Sequence, residues 1–366
     1  MIRVALAIVS CSVCLPALAG SSQWSPIEAK QWSQKQGWIV GANYINASSV
    51  NALEMWQKDT FNLAQIDAEL ALAEDAGFTS MRVFLHDLVW RDDQDGFTKR
   101  IDQFLTVASK HGIRPIFVLF DSCWNPNPQA GLQPAPVNGV HNSGWVQSPG
   151  IAALSDVKQY SRLRRYVSGV IRKFAQDKRV LAWDVWNEPD NLNGSSYNDS
   201  QTKLMFVEKM VPEVFRWARS ARPTQPLTSA VWAGEWSPRT ALNAIQKAQL
   251  DLSDIVSFHS YDAPDRFRER LAQLASFNRP LICTEYMARP LGSTVSAILP
   301  IAKANNVGTF NWGFVAGKTQ TYFPWDSWKK AYPAPPAVWF HDLFRTDHSP
   351  YDVNEIAFIK SVTKRQ

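Results

Sequence analysis

The chain has 366 residues, of which 19% are charged, and carries a net charge of +5 at pH 7. That length exceeds one typical domain, fits an α/β barrel of about 250 residues with long loops, and allows a large core. Lys and Arg are scattered along the chain rather than gathered in blocks, which argues against a nucleic-acid surface. Beyond the first residues no apolar run is long enough to span a bilayer.

Residues 1–19 read as an export signal. Arg3 supplies the positive start, an apolar stretch begins at Val4, and Ala17-Leu18-Ala19 fits a small-residue cleavage site before Gly20. The mature protein, residues 20–366, is expected to be one folded unit, monomeric, in the periplasm or outside the cell. The competing reading is a lipid anchor at Cys11, since Ile8-Val9-Ser10-Cys11 loosely matches such a site, but the apolar stretch before it is short. Loss of Arg3 lowers the net charge to +4. Two cysteines then remain, Cys123 and Cys283, without metal-binding spacing. Cys283 lies in an apolar run and is expected in the core.

A short entry helix is expected over 25–37, followed by a first strand over 38–44. The segment 66–76 has helical spacing and stops at Gly77, and the segment 99–111 stops at Gly112, because glycine readily takes the left-handed turn that ends a helix. Strands are expected at 79–85 and 113–120, the second almost continuously apolar toward its end, as a parallel strand buried on both faces requires. The stretch 121–155 is rich in Pro, Asn, Gly and Gln. Loops this long are usually functional or disordered, and Trp124, His141 and Trp145 favour an ordered one.

The alternation then continues. Helices are expected over 156–176, 203–219, 240–248, 266–276 and 295–304. Strands are expected over 179–186, 226–232, 255–259, 280–285 and 307–312. Terminal helices are expected at 337–344 and 353–362. Arg162, Arg164 and Arg165 are expected to form a solvated helix face. Eight strands alternating with helices predict a single-domain (β/α)8 TIM barrel with long strand-to-helix loops. An open doubly wound sheet is the alternative, but Gly41-Ala42-Asn43 lacks the Gly-rich phosphate turn that such a sheet would carry after its first strand.

Two glutamates stand at expected strand ends, 97 residues apart: Glu188 in Trp186-Asn187-Glu188-Pro189 and Glu285 in Cys283-Thr284-Glu285-Tyr286. Proline after Glu188 ends regular structure there. In such barrels the carboxyl ends of the strands share one face. Opposed carboxylates on that face suit acid/base or nucleophilic work, although a strand-end glutamate is often only an ion-pair partner. The chain also holds 16 tryptophans. Trp186, Trp232, Trp236 and Trp312 fall near strand ends, and Trp90, Trp124, Trp145, Trp325 and Trp328 fall in loops. Trp183, Trp217 and Trp339 are expected in the core. Broad aromatic faces stack well on the C–H faces of sugar rings.

Taken together these residues resemble a retaining glycoside hydrolase of clan A, and are most similar to family 5, the cellulase and mannanase family. Met81-Arg82-Val83 matches its strand-two arginine, Asn187-Glu188-Pro189 its strand-four motif, His259-Ser260-Tyr261 its strand-six pair, Glu285 its strand-seven nucleophile and Trp312 its strand-eight tryptophan. The order is the family's order. One departure stands at the end of strand three, where the family usually has a histidine and this chain reads Phe120-Asp121-Ser122-Cys123-Trp124.

The resemblance implies Glu285 as nucleophile and Glu188 as acid/base. On the same resemblance Arg82 and Tyr261 would donate to Glu285, Asn187 would bond the sugar 2-hydroxyl, His259 would position Glu188 or its neighbours, and Trp312 would form the floor of the site. Asp121 or Trp124 supplies the contact of the missing histidine. It implies a carbohydrate substrate and no metal or organic cofactor. A metal-dependent barrel hydrolase would want histidines clustered at strand ends, where only His86 and His259 qualify. A catalytically inactive carbohydrate-binding barrel is a further alternative. The expected action is endo cleavage of a β-linked mannan, glucan or xylan if the loops 121–155 and 313–336 leave an open groove, or exo cleavage of short oligosaccharides or glycan chains if they close one end.

Overall fold

The structure, a computed structural model, describes residues 22–364; the expected signal and Cys11 lie outside the described residues. Strands β1 (Val40–Tyr44), β2 (Ser80–Phe84), β3 (Ile116–Val118), β4 (Ala182–Asp184), β5 (Leu227–Thr228), β6 (Val256–His259), β7 (Leu281–Tyr286) and β8 (Gly308–Asn311) run parallel. Their order is β5-β4-β3-β2-β1-β8-β7-β6. The gap between β5 and β6 is spanned by a parallel bridge, Val231 to Phe258, and by Thr228 Oγ1 donating to Ile255 O at 2.8 Å. This is a (β/α)8 barrel in a single domain, as the alternating pattern predicts.

Each strand is buried because helices cover its outer face and neighbouring strands fill the centre. The helix Pro26–Gln36 starts on a capping box, Ser25 with Glu28, and closes the amino end of the barrel. There Ala29, Ile39, Ile116, Leu181, Ile255, Ile282 and Phe310 form a small core under Trp24 and Trp32. The opposite end carries the long loops. The loop after β3 is ordered, since Asp121 and Ser148 exchange backbone hydrogen bonds at 2.5 and 2.9 Å. It is locked to the segment after β8 by Asn142 N to Thr319 O at 2.7 Å, Tyr332 N to Gly139 O at 3.0 Å and His141 Nδ1 to Phe323 O at 2.8 Å.

Three expectations are corrected. Residues 337–344 form no helix. Three prolines, Pro333, Pro335 and Pro336, precede them, and tertiary partners take their backbone groups: Phe340 N donates to Tyr322 O, Leu343 N to Phe314 O, and Arg289 reaches the carbonyls of Trp339 and Asp342. The helix expected at 240–248 lies at Ala244–Leu252, because Asn243 and Gln246 form its capping box. Arg162 is not a solvated residue; it reaches inward to Asp87 Oδ2 at 2.7 Å.

Candidate active site

Arg82 is the hub, fully buried on β2. A buried guanidinium needs partners for its five N–H groups, and four side chains supply them. Nε and Nη2 donate to Asp184 Oδ2 at 3.0 and 2.7 Å, Nη1 to Asn43 Oδ1 at 2.8 Å and to Glu285 Oε1 at 2.9 Å, and Nη2 to Asn187 Oδ1 at 2.6 Å. The register between β1 and β2 places Asn43 directly beside Arg82. Asn43 Nδ2 donates onward to Thr284 O at 2.7 Å, tying β1 to β7.

Glu285 sits on β7, where the register with β6 shifts and His259 faces it across the bulge. Bulges near sites re-aim side chains. Its Oε2 accepts from Tyr261 at 2.7 Å, and His259 Nδ1 stands 3.4 Å away. Burial raises its pKa, while His259, Arg82 and Tyr261 oppose that rise.

Glu188 lies just beyond β4 with φ +42°. A left-handed backbone is uncommon for a non-glycine residue and is a form of strain found at functional sites. His259 Nδ1 lies 2.8 Å from Oε1, and Asn191 Nδ2 donates to Oε2 at 2.6 Å. Burial pushes the Glu188 carboxyl up to about 7, against the hydrogen bonds from Asn191 and Cys123. Burial also pushes His259 down to about 4. It is therefore neutral at pH 7, so Nδ1 donates to Glu188 when that carboxyl is ionised and, in the other tautomer, accepts when Glu188 carries its proton.

The sequence-identified residues are thus brought together at the carboxyl ends of the strands. Glu188, His259 and Glu285 each offer a ligand atom, all within 4.8 Å of one another. His259 Nδ1 and the oxygens of both carboxylates already have protein partners, and the adjacent cation is Arg82, so the cluster reads as a charge and proton network.

A cavity of about 380 Å³ opens over the two carboxylates. Asn187, Tyr261, Trp312 and Trp124 line it. Asp121 does not. Its Oδ1 accepts from Asn187 Nδ2 at 2.9 Å and from Cys123 N at 3.1 Å, and its Oδ2 accepts from Trp145 Nε1 at 2.6 Å. Its task is to hold Asn187 and Trp145. Of the nine strand-end and loop tryptophans, Trp124, Trp232, Trp312 and Trp325 reach the cavity. Trp186, Trp236, Trp90 and Trp145 are buried in the core. Trp328 stacks on Trp124 at 5.2 Å and 11°, joining the two long loops.

Sequence reasoning did not single out Asn43, Asp184, Asn191 and Lys203. Lys203 is buried and donates to Ser122 O, Asn191 O and Asp199 Oδ2 at 3.0, 2.8 and 2.7 Å, which fixes the loop carrying Asn191. A usable signal existed for two of them: Asn43 and Asp184 are polar residues inside otherwise apolar strands.

Comparison with known proteins agrees with this architecture. The model of glycosyl hydrolase family 10 matches residues 139–241, a stretch that contains Glu188. The sequence comparison with curated proteins finds no match. Among solved structures, a variant of GH5_18 from Streptomyces cattleya in complex with Manb1-4GlcNAc has a TM-score of 0.58 at 12% identity, over 88% of this chain and 80% of that one. The exo-beta-1,4-mannosidase Op5Man5 from Opitutaceae bacterium strain TAV5 has a TM-score of 0.57 at 16% identity, over 89% and 59%. The endo-beta-1,4-mannanase from Thermotoga petrophila has a TM-score of 0.53 at 14% identity, over 91% and 77%. The likeness to these structures is one of fold. The matched stretch is similar to family 10, whereas the strand-end residues most resemble family 5; both similarities support a glycoside hydrolase of clan A. Among the described residues no helix is long and apolar enough to cross a membrane.

Proposed function

We propose that the chain hydrolyses β-linked poly- or oligosaccharides with retention of anomeric configuration, by double displacement. The observation that carries this reading is the side-by-side placement of Glu188 and Glu285, with oxygens within 4.8 Å. Retaining enzymes hold their carboxyl groups about 5–5.5 Å apart, and inverting ones leave about 6.5–9.5 Å for a water. Glu285, facing Arg82 and Tyr261, attacks the anomeric carbon. Glu188, kept protonated near neutral pH by burial, gives its proton to the leaving oxygen. The glycosyl ester on Glu285 is then opened by water, with Glu188 now the base. Asn187 contacts the 2-hydroxyl, and Trp312 supports the ring.

The structural neighbours named for β-1,4-mannose substrates make β-1,4-mannosides the first substrates to try, ahead of glucans and xylans. A second reading is exo action, favoured by the Trp124–Trp328 stack that joins the two loops into one wall of the cavity. Proton NMR of the first-formed anomer, followed by product sizing on defined oligosaccharides, tests both. An inverted first product removes the retaining mechanism. Single sugars released from one end select exo action, and mid-chain fragments select endo action. Export through residues 1–19 belongs to the same proposal, and mass spectrometry of the mature amino terminus tests it.

A further inference from the structure

Cys123 stands in the cavity wall, and its sulfur has three partners. Asn187 Nδ2 donates to it at 3.4 Å and Asn191 Nδ2 at 3.6 Å, while Cys123 Sγ lies 3.3 Å from Glu188 Oε2 as donor. A thiol has one proton and weak acceptor capacity. Two amide N–H groups on the sulfur leave that proton to turn toward a carboxylate; Glu188 Oε2, at 3.3 Å, is placed to accept it, and Asp121 is the other carboxylate beside the thiol. The amides are themselves held. Asn187 is fixed by Arg82 and Asp121, and Asn191 accepts from Asn193 N at 2.7 Å through its Oδ1.

We propose that Cys123 is a positioning residue for the proton donor: its thiol, oriented by Asn187 and Asn191, hydrogen-bonds Glu188 Oε2 and holds that carboxyl in the geometry that protonates the leaving oxygen. The inference rests on the hydrolase reading and assigns a part to a residue that reading does not use. Asn191 Nδ2 can only donate to Glu188 and so favours its ionised form, whereas neutral His259 can donate or accept at Nδ1. The thiol, like His259, can both donate and accept, but sulfur accepts only weakly. The S–H donates to the ionised carboxylate more strongly than the weakly accepting sulfur could hold the protonated one, so loss of the thiol favours the protonated form of Glu188.

The charged and titratable groups around Glu188 are few. Asp121 and Cys123 come from the loop after β3, and Asp190 and Lys203 from the segment after β4. His259 and Tyr261 face it from β6 and its end, Glu285 from β7 and Arg82 from β2. Burial and the neighbouring carboxylates push the Cys123 thiol well above its ordinary range, so it stays protonated and can donate across the working pH.

Cys123→Ala removes the donor and Cys123→Ser restores an O–H in its place. Thermal melting checks that both fold. Glutamate labelled with carbon-13 lets Glu188 be titrated directly, with Glu188→Gln identifying its resonance. Cys123→Ala is expected to raise the titration midpoint of Glu188, and Cys123→Ser to return it toward wild type. A folded Cys123→Ala in which Glu188 titrates unchanged overturns the proposal, whether or not a substrate is known. Kinetics then compare an unactivated β-1,4-linked disaccharide with a 2,4-dinitrophenyl glycoside, whose leaving group needs little acid help. Cys123→Ala should lose about tenfold on the first relative to the second, the effect of about 1.4 kcal/mol expected for one hydrogen bond, and its alkaline limb should move up. Equal loss on both substrates with unmoved limbs means packing alone and overturns it. A wild-type protein that cleaves no glycoside, with the Glu188 titration still moved, refutes the hydrolase reading and leaves the thiol–carboxyl contact standing.

Discussion

Arg82 and Asp184 form an ion pair with no exposed surface on either side chain, joined at 2.7 and 3.0 Å beneath the two carboxylates. Both contacts fall on one oxygen, Oδ2, and Oδ1 has no partner. Asp184 therefore neutralises most of the Arg82 charge, and Glu285 feels what is left. Removing Asp184 should expose the full cation to Glu285, lower its pKa, and move the acid limb of activity to lower pH. Asp184→Asn tests this in a pH profile of kcat/KM. Asp184→Ala should also cost about 3–5 kcal/mol of stability, since it strands a buried charge; denaturant unfolding measures that. An acid limb that stays put would separate Arg82 from the ionisation of Glu285.

Glu285→Ala is expected to abolish turnover while sugar binding persists. Azide should partly rescue the variant with an activated substrate, giving a glycosyl azide of inverted configuration, because the small anion fills the space of the lost carboxylate. Calorimetric binding together with product NMR reads both parts. Turnover near the wild-type rate would remove the nucleophile assignment.

Trp312→Ala is expected to weaken substrate binding or transition-state stabilisation without unfolding the protein. Its ring is half-buried, meets Phe84 and Trp145 edge-on at 5.9 and 6.3 Å, and lines the cavity. The turn that follows it depends on Gly313, whose φ is +77° and whose Cβ would meet Asp342 Oδ1 at 2.6 Å. Loss of the aromatic contacts should cost about 0.5–1.5 kcal/mol per pair. Cooperative unfolding monitored by circular dichroism decides the matter: loss of that transition would make Trp312 a packing residue.

Much of the scaffold was legible because a buried parallel strand leaves a strong apolar signature. All eight strands fall where the apolar runs lie, and the helix Val295–Ala304 has the expected bounds. Among the site residues, Glu188 and Glu285 were legible as carboxylates at strand ends, whereas Arg82, His259, Tyr261 and Trp312 were legible through the family resemblance. Supporting contacts were less so. Asn191 and Lys203 act through a loop whose path is set by tertiary hydrogen bonds, and no local pattern reports them. The 337–344 segment shows the converse: its apolar spacing suits a helix, but Trp339, Phe340, Leu343 and Phe344 are buried along an irregular path. Tryptophan count also misled in part, since Trp186 and Trp236 occur near strand ends yet point into the core.

The last expectation concerns the two carboxyls as a pair. Burial is the main reason Glu188 is raised to about 7, with Asp190 as a nearby like charge. Glu188 in turn raises Glu285. Such coupling is mutual, since two close negative charges resist joint ionisation. Activity against pH should be a bell. It rises as Glu285 ionises and falls as pH passes through about 7, where Glu188 loses the proton it must donate. Both limbs report apparent values of the pair. Glu285→Gln removes one charge and should lower the Glu188 midpoint, but only by the share that Glu285 contributes. The share due to burial remains, so Glu188 should still titrate above an ordinary glutamate. The same drop on forming the glycosyl ester would suit Glu188 to its second role as base. Glu188→Gln should lower kcat/KM by about 10²–10⁴ on substrates with poor leaving groups, and much less on dinitrophenyl glycosides. Carbon-13 titration of Glu188 in wild type and Glu285→Gln measures the coupling directly. Identical midpoints would mean that the two carboxyls do not share a site.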